Sequence, residues 1–343
     1  MNTRPYIPGD ETRIMTIQRY IAQEERMHPG ATGEFSTLLR NLALAVKVVS
    51  REVRRAGLVD ILGKASTSNV SGDEVKKLDV FANDMIINAL ESGGQLCVMA
   101  SEENETVIPI PEEFPCGGYA MLFDPLDGSS NIDANVTIGT VFSIFKRVSK
   151  GVRGTVEDVV QPGYRQVAAG YIMYGSSTIM VFTTGKGVQG FTLDPTIGAF
   201  LLSHPDLTIP KRGNIYSVNE GNRQMWDEGF RRYIDYVQSD DPATGRPYKG
   251  RYVGSMIADV HRTILYGGVF AYPGDTKNPE GKLRLLYEAN PVAFLVEQAG
   301  GRATDGHRRI LDIEPTDVHQ RTPLLLGSTD DVLIAEEFIN GKR

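Results

Sequence analysis

Apolar positions along this chain fall into two rhythms, and each predicts a kind of element. Across residues 34–56 they recur at Leu38, Leu42, Val46, Val49 and Val53, the spacing of one buried helix face, with Gly57 placed to cap its C-terminus. The opposite face carries Arg40, Lys47, Arg51 and Arg54, an ordinary solvated surface. Residues 75–90 predict a second helix that presents Leu78, Ala82, Met85 and Ala89 inward and stops at Gly93-Gly94. Between the two helices, residues 63–73 are rich in Ser, Thr, Asn and Gly and read as a loop of the kind that closes over sites.

The second rhythm is that of strands. Short apolar runs at 96–100 and 119–123 are followed by runs at 136–145, 167–174, 178–183 and 188–193 with Gly-rich turns between them, an antiparallel meander. Residues 202–213, with Pro205, Pro210 and Gly213, mark a break. Beyond it a second α/β unit begins, with strands at 214–218, 269–272 and 323–327 and helices near 224–238, 255–265 and 291–299. The predicted fold is therefore α/β, in two fused halves of residues 1–207 and 208–343. That fits 343 residues at about 150 residues per domain.

Composition narrows the function. A net charge of -7 with scattered basic residues argues against nucleic acid as a partner. Only two cysteines occur, Cys97 in an apolar run and Cys116 in a loop, so a disulfide framework is not expected. No run approaches the roughly 20 apolar residues that span a bilayer, and the N-terminus has no apolar signal region, so no membrane partner and a cytoplasmic location are expected.

The chemistry concentrates where two apolar runs end in acid. The first stops at Ser101-Glu102-Glu103 and the second at Asp124-Pro125-Leu126-Asp127-Gly128-Ser129-Ser130. One D-x-x-D-G turn alone is an ordinary solvated loop. Two neighbouring strands ending this way would gather four acids at one end of a sheet, where like charges repel by about 1 kcal/mol per pair at 4 Å even in water. A cation should compensate them. The donors are hard oxygens with no Cys or His nearby in sequence, which favours Mg²⁺ or Mn²⁺. The string Lys282-Leu283-Arg284-Leu285-Leu286-Tyr287-Glu288 adds two cations and an acid before a helix start at Asn290-Pro291, although by composition it reads as a surface strand.

Taken together, these strings with Lys76-Lys77-Leu78-Asp79, Asn219-Glu220-Gly221 and Arg251 to Met256 resemble the class I fructose-1,6-bisphosphatases nearly end to end. The resemblance implies a sugar-phosphatase fold, alternating layers of helices and mixed sheets in an αβαβα sandwich. It also implies Mg²⁺-dependent hydrolysis of the 1-phosphate of fructose 1,6-bisphosphate, in gluconeogenesis. By the same resemblance, Glu102, Asp124, Asp127, Glu288, the Leu126 carbonyl and Asp73 hold two or three ions, and Glu103 with Asp79 activates the attacking water. Asp127, Gly128, Ser129, Ser130 and Arg284 meet the 1-phosphate, with both serines as donors rather than nucleophiles. Lys282 and Met256 hold the sugar, and Asn219, Tyr252 and Tyr272 the 6-phosphate. Arg251 reaches a neighbouring subunit's site, which implies a homotetramer.

Thr32, Gly33, Glu34, Tyr119 and Lys146 match the family's AMP-binding string, with Gly118 and Lys146 departing from the animal pattern. Asn222 stands where many relatives carry a tyrosine. Two other readings stay open: a broader sugar bisphosphatase that also accepts sedoheptulose 1,7-bisphosphate, and a non-catalytic sensor of AMP or sugar phosphate.

Overall fold

The computed structural model describes residues 14–26, 33–55, 64–68 and 74–343. The first half opens with α1 (Ile17–Arg26) and α2 (Glu34–Val53), continues through the antiparallel pair β1 (Lys64–Ser68) and β2 (Glu74–Lys76), and reaches α3 (Lys77–Glu91). Then come β3 (Leu96–Ser101), β4 (Ile108–Pro109), β5 (Tyr119–Asp127), β6 (Ile138–Lys146), β7 (Gln166–Tyr174), β8 (Thr178–Thr183), β9 (Val188–Asp194) and β10 (Ala199–Leu207). The six strands β5 to β10 follow one another as an antiparallel meander, and β3 joins its edge parallel to β5, with β4 outermost. Gly170 of β7 lets this sheet pack closely, because a Cβ there would lie 2.6 Å from the Phe142 ring and from the Val181 carbonyl.

The second half contains β11 (Ile215–Ser217), α4 (Glu228–Gln238), β12 (Lys249–Gly250), α5 (Met256–Tyr266), β13 (Val269–Tyr272) and β14 (Leu283–Arg284). It ends with α6 (Asn290–Gln298), β15 (Arg302–Thr304), β16 (Arg321–Thr322), β17 (Leu324–Gly327) and α7 (Thr329–Ile339). Its five-stranded sheet runs β12-β11-β13-β17-β15.

Side-chain alternation along the strands sets the layers. One core packs α1, α2 and α3 against the eight-stranded sheet through Leu38, Leu42, Val46, Leu78, Ile86, Phe142 and Ile172. A second core lies between the sheets. It joins Val141, Tyr171 and Val181 of the large sheet to α5, α6 and to Phe270, Leu324 and Leu326 of the small one. The alternate residues Val269, Ala271 and Leu325 face the other way, onto α4 and α7. The result is the αβαβα sandwich. Each large apolar side chain removed from water in these layers stabilises the fold by about 1.5–3 kcal/mol before entropy is counted.

Several expectations need correction. The inward face of α3 holds Leu78 and Ala82, with Met85 and Ala89 half-buried against the same core, but it also includes the fully buried Ile86 and Leu90, which the spacing left out. Of the expected loop at 63–73, residues 64–68 form a strand and the remainder lies outside the described residues, as does Gly57. The break at 202–213 begins inside β10, which extends the large sheet to Leu207. Leu283-Arg284 pairs briefly with β16, but Leu285–Ala289 coil into a buried π-helical turn, so the surface-strand reading of this string fails. Helices α1 and α7 had no counterpart in the sequence reading.

Candidate active site

The parallel neighbours β3 and β5 carry their acids to one end of the sheet. The Glu102 amide donates to the Phe123 carbonyl at 3.1 Å, which seats the two acidic turns side by side. Strand β5 does not stop at Phe123 as its apolar run implied. It continues to Asp127 with an irregular register between Asp124 and Asp127, where Pro125 cannot donate to the ladder. Asp124 Oδ1 accepts the Leu126 amide at 3.0 Å, and Thr140 Oγ1 donates to the Pro125 carbonyl at 2.8 Å. Gly128 then takes φ 79°, a left-handed conformation that starts the short 3₁₀ turn Ser129–Asn131.

Glu288 comes from the π-helical turn, whose wider winding brings it back to the Arg284 amide as an acceptor. Oxygens of Asp124, Asp127 and Glu288 lie within 4.8 Å of one another, all three groups being buried. Glu102 stands beside them and accepts from Arg284 Nη2 at 2.9 Å. Asp79, in the first turn of α3, is buried and bears electrostatically on Asp124. Glu103 is half-buried, its amide donating to Ser101 Oγ, which in turn donates to Asn83.

Burial, and then the neighbouring carboxylates, push the Asp124 carboxyl well above its usual range. Burial likewise raises Asp127 to about 7, against the Ile257 amide donating to its Oδ2 at 3.0 Å. Burial raises Glu288 to about 8, although Arg284 opposes it. These acids are short of positive charge. A hard divalent cation fits a set of three buried carboxylates with no sulfur or nitrogen donor among them.

A cavity of about 410 Å³ opens beside this cluster. It brings together Asp127, Gly128, Tyr252, Met256, Tyr272, Lys282, Arg284 and Glu288 from both halves of the chain. An adjoining recess is walled by Asn219, Asn222, Tyr252 and Tyr272, so the two tyrosines are shared. Burial raises Tyr252 to about 12 and raises Tyr272, which keeps both phenols protonated as donors. Arg251 is exposed next to this wall, its guanidinium donating to the Gly250 carbonyl. Ser129 is half-exposed and Ser130 exposed on the 3₁₀ turn.

Residues 15–205 match the model of the fructose-1-6-bisphosphatase N-terminal domain, and residues 209–340 match that of the C-terminal domain. The chain belongs to the fructose-1,6-bisphosphatase family. The class 1 fructose-1,6-bisphosphatase of Chlorobium luteolum is 59% identical over 333 residues, covering 97% of this chain and 100% of the relative. That of Chloroherpeton thalassium is 59% identical over 331 residues, covering 96% and 95%. Among solved structures, fructose-1,6-bisphosphatase of Leishmania major in its holo form superposes with a TM-score of 0.90 at 45% identity, covering 96% of this chain and 99% of that one. Membership in this family implies dependence on a divalent metal, which the donor set fits.

The described residues that the resemblance implied for AMP lie apart from the cavity, at the start of α2 and on the neighbouring ends of β5 and β6. Gly33 caps that helix with φ 79°, and Glu25 of α1 accepts from Ser36 Oγ at 2.6 Å there. Tyr119 is half-buried with Glu34 close enough to raise its hydroxyl further after burial. Lys146 ends β6, paired with Tyr119 across the strands. Thr32 and Asp73 lie outside the described residues. The sequence reading missed Ser255, Asp259, Asn278 and Arg321, which also line the cavity. The Ser255 hydroxyl is buried and finds no hydrogen-bond partner among the described residues. A signal for Asp259 was present: an acid among Met256, Ile257, Val260 and Ile264, on the apolar face of α5.

Proposed function

We propose that this chain hydrolyses the 1-phosphate of fructose 1,6-bisphosphate, giving fructose 6-phosphate and phosphate in gluconeogenesis, in the cytoplasm. The observation that carries the reading is that Asp127 and Glu288 belong at once to the acid cluster and to the wall of the sugar-phosphate cavity. A phosphate seated between Arg284 and the Gly128 turn would therefore lie against the acids.

Magnesium, two or three ions per subunit or Mn²⁺ in its place, supplies positive charge to the transferring phosphate oxygens and acidifies water. Glu102, Asp124, Asp127, Glu288, Asp73 and the Leu126 carbonyl would hold it. The chain's own residues do the rest. Glu103, with Asp79, removes the proton from the attacking water, a role general bases fill for about 10²–10⁴ in rate. Gly128, Ser129, Ser130 and the Arg284 guanidinium orient the 1-phosphate, Arg284 by its planar pair of donors. Lys282 and Met256 hold the furanose, while Asn219, Tyr252 and Tyr272 donate to the 6-phosphate. Asn222, beside Asn219 in the recess, would stand in for the tyrosine of many relatives as a polar donor.

The same reading divides the chain at 207/208, where β10 ends, into a metal-binding and regulatory half and a sugar-phosphate half. It includes a homotetramer in which Arg251 completes a neighbour's site, and inhibition by AMP at the start of α2. There the nucleotide's phosphate would meet the helix amides and compete with the Glu25 carboxylate for Ser36.

The test is a substrate panel: fructose 1,6-bisphosphate, sedoheptulose 1,7-bisphosphate, inositol 1-phosphate and fructose 6-phosphate at saturating Mg²⁺. The reading requires fast phosphate release from the first and none from the last two. Comparable turnover of the sedoheptulose ester would widen it to a broader sugar bisphosphatase, and silence on all four from folded protein would refute it.

A further inference from the structure

One buried charge near the site has no part in the chemistry above. Asp259 is fully buried on the apolar face of α5, and its donors come from β11, from the chain segment that carries Tyr252, and from Arg262 of α5 itself. Ser217 Oγ of β11 donates to its Oδ1 at 2.7 Å. The amides of Val253 and Gly254 donate to its Oδ2 at 3.1 and 3.3 Å. Arg262, one turn on, donates from a single nitrogen to both Asp259 Oδ1 and the Arg251 carbonyl. The carboxylate thus holds the segment 251–254 directly at the Val253 and Gly254 amides after Tyr252, and before Tyr252 only through Arg262, which bridges it to the Arg251 carbonyl.

That segment is anchored at its ends as well. The Arg251 amide donates to the Tyr216 carbonyl at 2.9 Å, and Asn131 Nδ2 of the metal-side turn donates to the Gly254 carbonyl at 2.9 Å. Further on, the Ile257 amide donates to Asp127. Segment 251–257 is therefore a strap from the small sheet to the acid cluster, and Asp259 is the group that fixes its middle. Gly254 in this strap takes φ 84°, so the chain turns sharply just after Tyr252. An unpaired charge here would be costly, and an apolar residue could not receive two backbone amides.

We propose that Asp259 is a positioning residue for bisphosphate specificity: it holds the 251–254 strap so that the Tyr252 hydroxyl meets the second phosphate of the substrate. The inference rests on the reading of Tyr252 as a contact of that phosphate. Asn at this position supplies one acceptor where two are needed and turns a donor toward either the amides or Ser217 and Arg262. The strap then loosens while the acids stay in place.

The experiment compares Asp259→Asn, Arg262→Gln and Tyr252→Phe in the full chain, with KM and kcat measured for fructose 1,6-bisphosphate and for fructose 1-phosphate at saturating Mg²⁺. Asp259→Asn should raise KM for the bisphosphate by about tenfold, the scale of one displaced hydrogen bond to a charged group. It should leave kcat for the bisphosphate and kcat/KM for the monophosphate within about threefold, and it should add little to Tyr252→Phe in the double variant. Equal losses on both substrates, or no loss on either, would overturn the proposal. Should Asp259→Asn fail to fold, Arg262→Gln decides, since it frees the same strap from its half-buried side; an unchanged KM ratio between the two substrates would then sink it. If Tyr252→Phe itself leaves that ratio unchanged, the second-phosphate reading of Tyr252 falls and the inference with it. If only Asp259→Asn leaves it unchanged, the inference alone falls.

Discussion

Carboxylates packed against one another in a buried site are unfavourable without a compensating cation, and in the proposed function Glu103 and Asp79 are the two whose task differs from cation binding. Glu103→Gln keeps the shape and removes the base. Turnover should fall by about 10²–10⁴ while the affinity for fructose 1,6-bisphosphate changes little, because a general base contributes on that scale. Calorimetric titration beside a phosphate-release assay checks both halves, and near-normal turnover would take Glu103 out of the mechanism. At this scale the sequence was most legible where partners are close along the chain: the two acids of Asp124 to Asp127 and the pair at Glu102-Glu103 announce themselves locally. Asp259 gave only the signal of an acid on an apolar helix face and Ser255 gave none, because what surrounds them, Ser217 and Gly128, is brought in by the fold.

Among elements, two strand ends and one π-helical turn converge without any cation of their own to balance them fully. The consequence is a pH dependence with a definite sign. In the folded chain Asp127 titrates at about 7 and Glu288 at about 8, whereas unfolded carboxyls lose their protons near pH 4. Between these limits the folded state holds protons that the unfolded state has released, so this contribution lowers stability as pH rises from about 4 to about 8 and then levels off. With divalent cations chelated, Tm should drop across that range. Added Mg²⁺ should raise Tm more at pH 8 than at pH 5, where it competes with protons. Scanning calorimetry at both values decides it, and an equal Mg²⁺ effect at the two would contradict the account.

The strands of the meander were readable because residues alternate or run apolar at the length of a sheet. The π-helical turn was not, since Leu283, Leu285 and Leu286 give the same pattern to a strand. Helix α1 buries only Ile17 and Ile21, and α7 buries Val332, Ala335 and Phe338 behind an acidic first turn, too little apolar face to stand out.

For the whole molecule, family strings nearly end to end made the architecture legible and implied that Gly128 and Arg284 share a site, whereas periodicity and composition alone did not state how the halves meet. The cavity is walled by both, with Gly128 from one and Tyr252, Lys282 and Arg284 from the other. If Arg251 serves a neighbour, the assembly should show it. Arg251→Ala and Glu103→Gln, each nearly inactive alone, should regain activity when subunits are mixed and allowed to exchange. Hybrids then contain sites with an intact Glu103 and a neighbour's intact Arg251. Absence of any gain, in hybrids verified by mass, would place Arg251 outside the site.

In the proposed function the acid cluster and the cavity beside it act as one site. The most direct test of this is ³¹P NMR of fructose 1,6-bisphosphate with the purified protein, with Mg²⁺ and after chelation. Loss of the 1-phosphate signal alone, dependent on Mg²⁺ and stopping at fructose 6-phosphate, is the predicted result. Hydrolysis that persists after complete chelation, or that attacks the 6-phosphate equally, would contradict it.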